Sequence, residues 1–432
     1  MVKGNFMRKK FKYINMMKWA KDIFPYNRSL SGDGVRKTIK YIQKNVNKKF
    51  KSKKFKSNSK YFDWIAPSEW KVTEAFIREE NGKKICDIND NNLHLLGYSS
   101  KFSKTISYHQ LKRNLYFLKD KPNAVPYLTS YYKKKWGFCI SYNKFKKLNK
   151  NIKYRVKVNS KHFKGFLDYA EFFIKGKSKK EILIVSYICH PSMANNELSG
   201  PLVVMALSKI LKSQKYSVRL ILIPETIGAI AYIKQNFNHL KKNLIAGFNL
   251  SCVGDKGKFT LINSKESNTY ADKVATRVLE KTKKFKKYSF LKRGSNERQF
   301  GCQNLSLPFV TICRTRFGDF KEYHTSNDNL DLISEKNLKE TLKQTKLIID
   351  DIQKNKIYVK KLYCEPFFSK YKLIRSTRMK ANNFEKELFD LAAYVDKNYD
   401  ETELSKLLKK SKDDVVKKLQ ILSQKKIIGE FY

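Results

Sequence analysis

The stretch EILIVSYICHPSMANNELSG (181–200) decides the fold. Its first nine residues form a near-continuous apolar run that stops at His190. A run this short, without alternation, reads as a strand buried on both faces. A helix is predicted next over 199–213, with Ser199 as its N-cap and Pro201 in its first turn. VRLILI (218–223) repeats the pattern and ends at Pro224-Glu225, before a helix carrying Ile227, Ile230, Ala231 and Ile233. LIAGFNLSCVGD (244–255) and LPFVTICRTRF (307–317) supply two further strands, and a helix is predicted over 334–354. Buried strands alternating with helices place the chain in the α/β class, with a mostly parallel sheet flanked by helices.

On the N-terminal side, Val35, Ile39, Ile42 and Val46 share one face of a predicted helix over 31–46, and a Lys/Ser loop is predicted over 47–60. Between 61 and 151 the character changes to short aromatic and apolar segments broken by Pro, Gly and Asn, the pattern of short strands. Beyond 381, three short helices (about 384–397, 401–410 and 413–425) run into IIGEFY, read as a wing strand. This gives a discontinuous α/β domain (1–60 and 152–360), an inserted β-rich domain (61–151) and a winged-helix-like domain (375–432). Residues 381–432 carry ten Lys against ten Asp and Glu, which suits docking or homo-oligomerisation better than DNA binding.

The chain has 432 residues and a formal charge of +52. The excess is 77 Lys against 14 Arg and is spread along the chain, whereas nucleic-acid readers lean on Arg. Its densest part, 35–60, holds eleven Lys and Arg with no acid and is read as a solvated face rather than a polyanion site. Nucleic acid is therefore a disfavoured partner. No apolar run approaches the length of a membrane span, and the first residues lack the apolar core of a secretory signal. Seven scattered cysteines argue against a disulfide framework and for a reducing cytoplasm.

In open α/β sheets, sites form beyond the carboxyl ends of strands. His190 ends one buried strand, Glu225 ends the next, and His324 lies in the loop after the fourth. Singly, each is as well explained by a structural hydrogen bond or a helix cap. Together they form a candidate site: two imidazoles for a metal and a carboxylate to move a proton. His94, His109, His162 and His239 are read as structural or surface residues, and Cys189 and Cys252 as core. The Tyr/Trp-rich stretch 126–138 could stack a sugar, but packing is the favoured reading.

CHPSMANNELSG (189–200) resembles the CHPSxANDNLSG motif of an aminopeptidase-like family (the DUF4910 type) related to zinc aminopeptidases of the M28 type. The resemblance continues through PETIGAIAYI (224–233), SCVGD (251–255), GSNERQF (294–300) and EYHTSNDNLDLIS (322–334). It also covers DIFPYNRSLSGDGVRKTI (22–39), the β-rich block and the C-terminal segment, and so nearly the whole chain. It implies an M28-like zinc-exopeptidase fold and amide hydrolysis. His190, His324 and Asn196 would be metal ligands, Glu225 the general base, and Asn296, Glu297 and Arg298 the substrate-binding residues. Some members are associated with polysaccharide biosynthesis, so the implied substrate is a small peptide or an acylamino-sugar-like molecule. Two departures stand out. Asn196 and Asn296 replace family Asp residues and bring no negative charge to a cation. Glu197 and Glu297, one position further on, are the candidates to substitute for them. Thr226 stands where M28 enzymes carry a second Glu, so one zinc ion is expected rather than two. The alternative is a degenerate, non-catalytic member that binds a ligand or partner in the cleft.

Overall fold

The computed structural model describes residues 13–302, 304–374 and 382–431. The first twelve positions, where the lack of a signal-like segment was read, and the start of the predicted C-terminal domain at 375–381 lie outside the described residues.

Ser178–Tyr187 is buried along nearly its whole length and sits inside an eight-stranded sheet. Across the sheet the order is Lys51–Lys56, Phe166–Ile174, Tyr216–Ile223, Ser178–Tyr187, Leu244–Leu250, Phe309–Cys313, Phe259–Ile262, Phe285–Tyr288. The middle four strands run parallel. Both flanks join them antiparallel, through Phe166–Ile174 and Phe259–Ile262. The sheet is therefore mixed: beside the parallel centre, Phe259–Ile262 and Phe285–Tyr288 also pair parallel, and the expectation of a mostly parallel sheet holds in part, the other three pairings being antiparallel. The central strands carry no alternation because both faces are covered. Ile182 and Ile184 face one core, with the helices Asp33–Asn45, Ser199–Ile210, Tyr270–Leu279 and Glu335–Lys354. Leu183, Val185 and Tyr187 face a second core, with the helix Ile227–Asn243.

The predicted Lys/Ser loop at 47–60 is corrected by the strand Lys51–Lys56, which pairs with Phe166–Ile174. Only Phe55 of this strand is buried, so the hydrophobic pattern is silent there. An outer strand rich in exposed Lys resists pairing with another chain. Ser199 is not an N-cap. A five-residue π-helical turn, Ala194–Leu198, leads into the helix, and the Ser199 hydroxyl donates back to the Asn195 carbonyl at 2.5 Å.

A separate antiparallel sheet orders Lys84–Asp87, Glu69–Glu79, Lys153–Phe163 and Phe102–Ser107. Lys153–Phe163 was assigned from sequence to the α/β part, yet its partners are here. The apolar side of this sheet, with Ile77, Val156 and Val158, shares one continuous core with Leu183, Val185 and Ile230 of the large sheet and its helix.

The C-terminal residues form the helices Asn383–Tyr394, Glu401–Leu408 and Lys412–Gln424 around Leu391, Leu404, Val415 and Leu419. Ile428–Glu430 pairs antiparallel with Tyr358–Lys360. Arg277 joins this unit to the α/β part, donating to Asp400 at 2.7 Å and Glu403 at 2.6 Å and also binding Asp351. Among the described residues, no helix is long and apolar enough to cross a membrane.

Candidate active site

Because the middle strands are parallel and adjacent, their carboxyl ends share one edge of the sheet. His190 and Glu225 follow neighbouring strands there, and the loop holding His324 follows Phe309–Cys313. The fold thus converts three positions far apart in sequence into one cluster. The ring centroids of His190 and His324 are 5.7 Å apart, and Glu225 Oε2 is 3.7 Å from His190 Nε2.

His190 is fixed from behind. The π-helical turn points Glu197 inward, and its carboxylate accepts from His190 Nδ1 at 2.9 Å. Such turns are rare and cluster at functional sites. The turn itself hangs on Asp328, which accepts from the backbone N–H groups of Ala194, Asn195 and Asn196 at 3.2, 2.6 and 2.9 Å. Burial raises the Asp328 carboxyl to about 7 against the pull of those bonds. Arg28 donates to the His190 carbonyl at 3.1 Å and lies 3.6 Å from Glu197, both side chains being fully enclosed. With Nδ1 held by a carboxylate, Nε2 is the nitrogen presented to the cleft, the arrangement found behind metal-bound histidines.

Glu225 is set by a tight turn. Its N–H donates to Cys189 Sγ at 3.1 Å, and the next residue, Thr226, adopts a left-handed φ of 59°. The Ser295 hydroxyl donates to Glu225 Oε1 at 2.5 Å. Burial lifts the Glu225 carboxyl above its usual range, opposed by His190 and by the Ser295 bond. A raised carboxyl suits proton transfer near neutral pH. Burial, with His190 beside it, lowers His324 to about 3, which leaves the neutral imidazole that a metal requires.

The other expected residues behave differently. Asn296 is completely buried: its Oδ1 accepts from the Thr226 N–H at 3.0 Å and its Nδ2 faces Asn249. Glu297, also fully buried, accepts from the N–H groups of Gly294 and Ser295 and from the Thr311 hydroxyl at 2.6, 2.9 and 2.7 Å. Both brace the 294–298 loop and offer no surface to a substrate in this conformation. Arg298 donates to the Thr226 hydroxyl at 2.6 Å and is partly exposed. Glu297 is engaged by the three bonds above and Glu197 Oε2 by His190, while Glu197 Oε1 has no hydrogen-bond partner among the described residues. Asn196 is 2% exposed; Tyr187 donates to its backbone oxygen at 2.6 Å and lies 3.3 Å from its Oδ1. Its Nδ2 has no hydrogen-bond partner among the described residues.

Sequence reasoning missed several contributors. A cavity of about 300 Å³ is lined by His190, Glu225 and His324 together with Trp64, Tyr131 and Tyr132. The stretch read as packing thus also walls the cavity, because aromatic side chains carry no mark that separates the two uses. Arg28 was legible only as a member of a matching motif. Ser295 gave no signal beyond its place beside Asn296.

The spacing of the two imidazoles is compatible with a shared zinc ion, while the ligand atoms of His190, His324 and Glu225 do not all lie within 4.8 Å of one another. Two imidazoles bound at about 2 Å with a tetrahedral angle between them put their centroids roughly 5 Å apart, close to the 5.7 Å found. Among the described residues, the grouping of three whose ligand atoms lie within 4.8 Å of one another is Cys189, His190 and Glu197. The Arg28 guanidinium beside Glu197 makes that pocket hostile to a cation.

Residues 17–355 match a family described as a domain of unknown function (DUF4910). A Clostridium acetobutylicum protein is 37% identical over 358 residues, 82% of this chain and 81% of its own, and is named for polysaccharide biosynthesis and an aminopeptidase-like domain. A crystal structure of a peptidase from Clostridium acetobutylicum is 31% identical, with a TM-score of 0.80 over 99% of both chains. A zinc aminopeptidase from Bacillus subtilis is 13% identical, with a TM-score of 0.56 over 78% of this chain and 95% of its own, and so shares the fold. The mixed sheet with its helices is similar to that of the M28 peptidases, and the chain belongs to the DUF4910 family.

Proposed function

We propose that this protein is a metal-dependent hydrolase of amide bonds, an aminopeptidase or deacylase acting on a small substrate. The observation that carries this reading is the meeting of His190, His324 and Glu225 at one wall of a cavity. The two imidazoles would hold one zinc ion, with the Asn196 amide oxygen as a weaker third donor. Zinc there would polarise the amide carbonyl and acidify a bound water. Glu197 keeps Nδ1 of His190 occupied, so Nε2 is the nitrogen that faces the cleft. Glu225 takes the proton of the attacking water and passes it to the leaving amine. The Ser295 hydroxyl holds the carboxylate in position for both transfers.

The peptidase-like relatives support a peptide or aminoacyl amide as substrate. The relative named for polysaccharide biosynthesis keeps an acylamino sugar in view. We take the sheet built around Glu69–Glu79 as an inserted domain and the C-terminal helices as a winged-helix-like docking or homo-oligomerisation module. Seven unpaired cysteines suit a reducing cytoplasm.

Zinc quantification on wild type and His190→Ala, with an aminoacyl-amide panel run on wild type and Glu225→Gln, tests the proposal. About one equivalent of zinc, lost in His190→Ala, and hydrolysis reduced at least a hundredfold in Glu225→Gln are expected. Full activity in Glu225→Gln would refute the mechanism. The second reading, a non-catalytic binder, is favoured by the neutral Asn196 and by the prior commitments of Glu197 and Glu297. Less than a tenth of an equivalent of zinc, unchanged by added metal, would support it.

A further inference from the structure

His324 adopts a left-handed φ of 54°, a conformation bulky residues avoid unless their surroundings enforce it. The enforcement comes from a segment some two hundred residues earlier. Residues 125–127 run antiparallel to 324–326 through a bridge between Pro126 and Thr325. The Tyr127 N–H donates to the His324 carbonyl at 2.9 Å. The Ser326 N–H donates to the Val125 carbonyl at 2.8 Å, and the Val125 N–H donates to the Ser326 hydroxyl at 2.9 Å. The Tyr127 ring then packs against both imidazoles, 5.0 Å from His190 and 5.2 Å from His324. On its other side His324 stacks on Tyr323 at 3.9 Å.

We propose that Tyr127 is the positioning residue for the imidazole pair, and that segment 125–127 is an integral part of the metal-binding site. The argument rests on His190 and His324 being the ligands, as proposed above. The ring, not its hydroxyl, does the positioning, since the hydroxyl lies against Tyr131 at 3.4 Å. A loop held only at its ends would leave His324 free to relax out of its strained backbone. The bridge and the ring contact remove that freedom before any metal arrives.

The test uses the full chain with cobalt(II) as probe, titrated by its d–d absorption, and side-chain imidazole NMR of the metal-free protein. Tyr127→Phe should bind cobalt like wild type. Tyr127→Ala should bind about tenfold or more weakly, the scale for losing support behind a ligand, and should shift or broaden the His190 and His324 resonances. Trp136→Ala removes an aromatic ring stacked on Phe102 in the same segment and should change neither readout. Unaltered affinity and imidazole spectra in Tyr127→Ala would overturn the proposal. If Tyr127→Ala does not fold, Ser326→Ala replaces it, and unchanged affinity and spectra there would overturn the proposal equally. If wild type takes no cobalt or zinc, the metal reading fails, and the imidazole spectra alone decide the positioning.

Discussion

Arg28 and Glu197 form an ion pair with both side chains fully enclosed, 3.6 Å apart behind His190. Arg28's remaining bonds go to neutral carbonyls, those of His190 at 3.1 Å and Ile23 at 2.5 Å. Among the described residues, Glu197 is the carboxylate within 4 Å of this guanidinium. Burial lowers the guanidinium's affinity for its proton, and the charge of Glu197 opposes that effect. Glu197→Gln keeps the volume and an oxygen that can still accept from His190 Nδ1, but deletes the balancing charge. Leaving one member of a buried pair uncompensated costs about 3–5 kcal/mol, which lowers Tm by roughly 3–6 °C in a chain of 432 residues. Arg28→Met alone strands the opposite charge and should cost a similar amount. The double variant strands neither, so the sum of the single losses should exceed its loss by at least about 2 kcal/mol. Urea unfolding followed by circular dichroism measures all four corners of the cycle. A Glu197→Gln protein within about 1 kcal/mol of wild type, or a double variant no more stable than either single one, would refute the reasoning.

Asn196→Asp restores a carboxylate at the position where family members carry one and should raise zinc affinity at least about tenfold by competition with a chelating dye; unchanged affinity would mean that position 196 does not reach the ion. Arg277→Met leaves the fully buried Asp400 without its cation, so hydrogen exchange in 383–431 should quicken while the centre of the large sheet stays protected. Lys54→Thr with Lys56→Thr on the outer strand leaves the core untouched, and light scattering should show faster aggregation without a change in Tm.

The sequence by itself determined the centre of the sheet and the seed of the site. Runs such as EILIVSYIC and VRLILI are apolar at every position because both faces are covered, and that signal is local. Strand ends are local as well, so His190 and Glu225 were legible, and the motif around His324 supplied the third member. The flanking strands were not legible. Lys51–Lys56 buries one side chain, and its pairing energy lies in backbone bonds that any sequence can make. What only the tertiary structure decided is which acidic and amide side chains point where. Glu197, Asn296 and Glu297 carry the chemistry of ligands in the sequence, yet close packing assigns them to His190, Thr226 and the 294–298 loop. Likewise Tyr127 reads as an ordinary aromatic until the chain brings it against two imidazoles. Hydrogen-bond direction and ring contact are set by neighbours distant in sequence, and no local pattern encodes them.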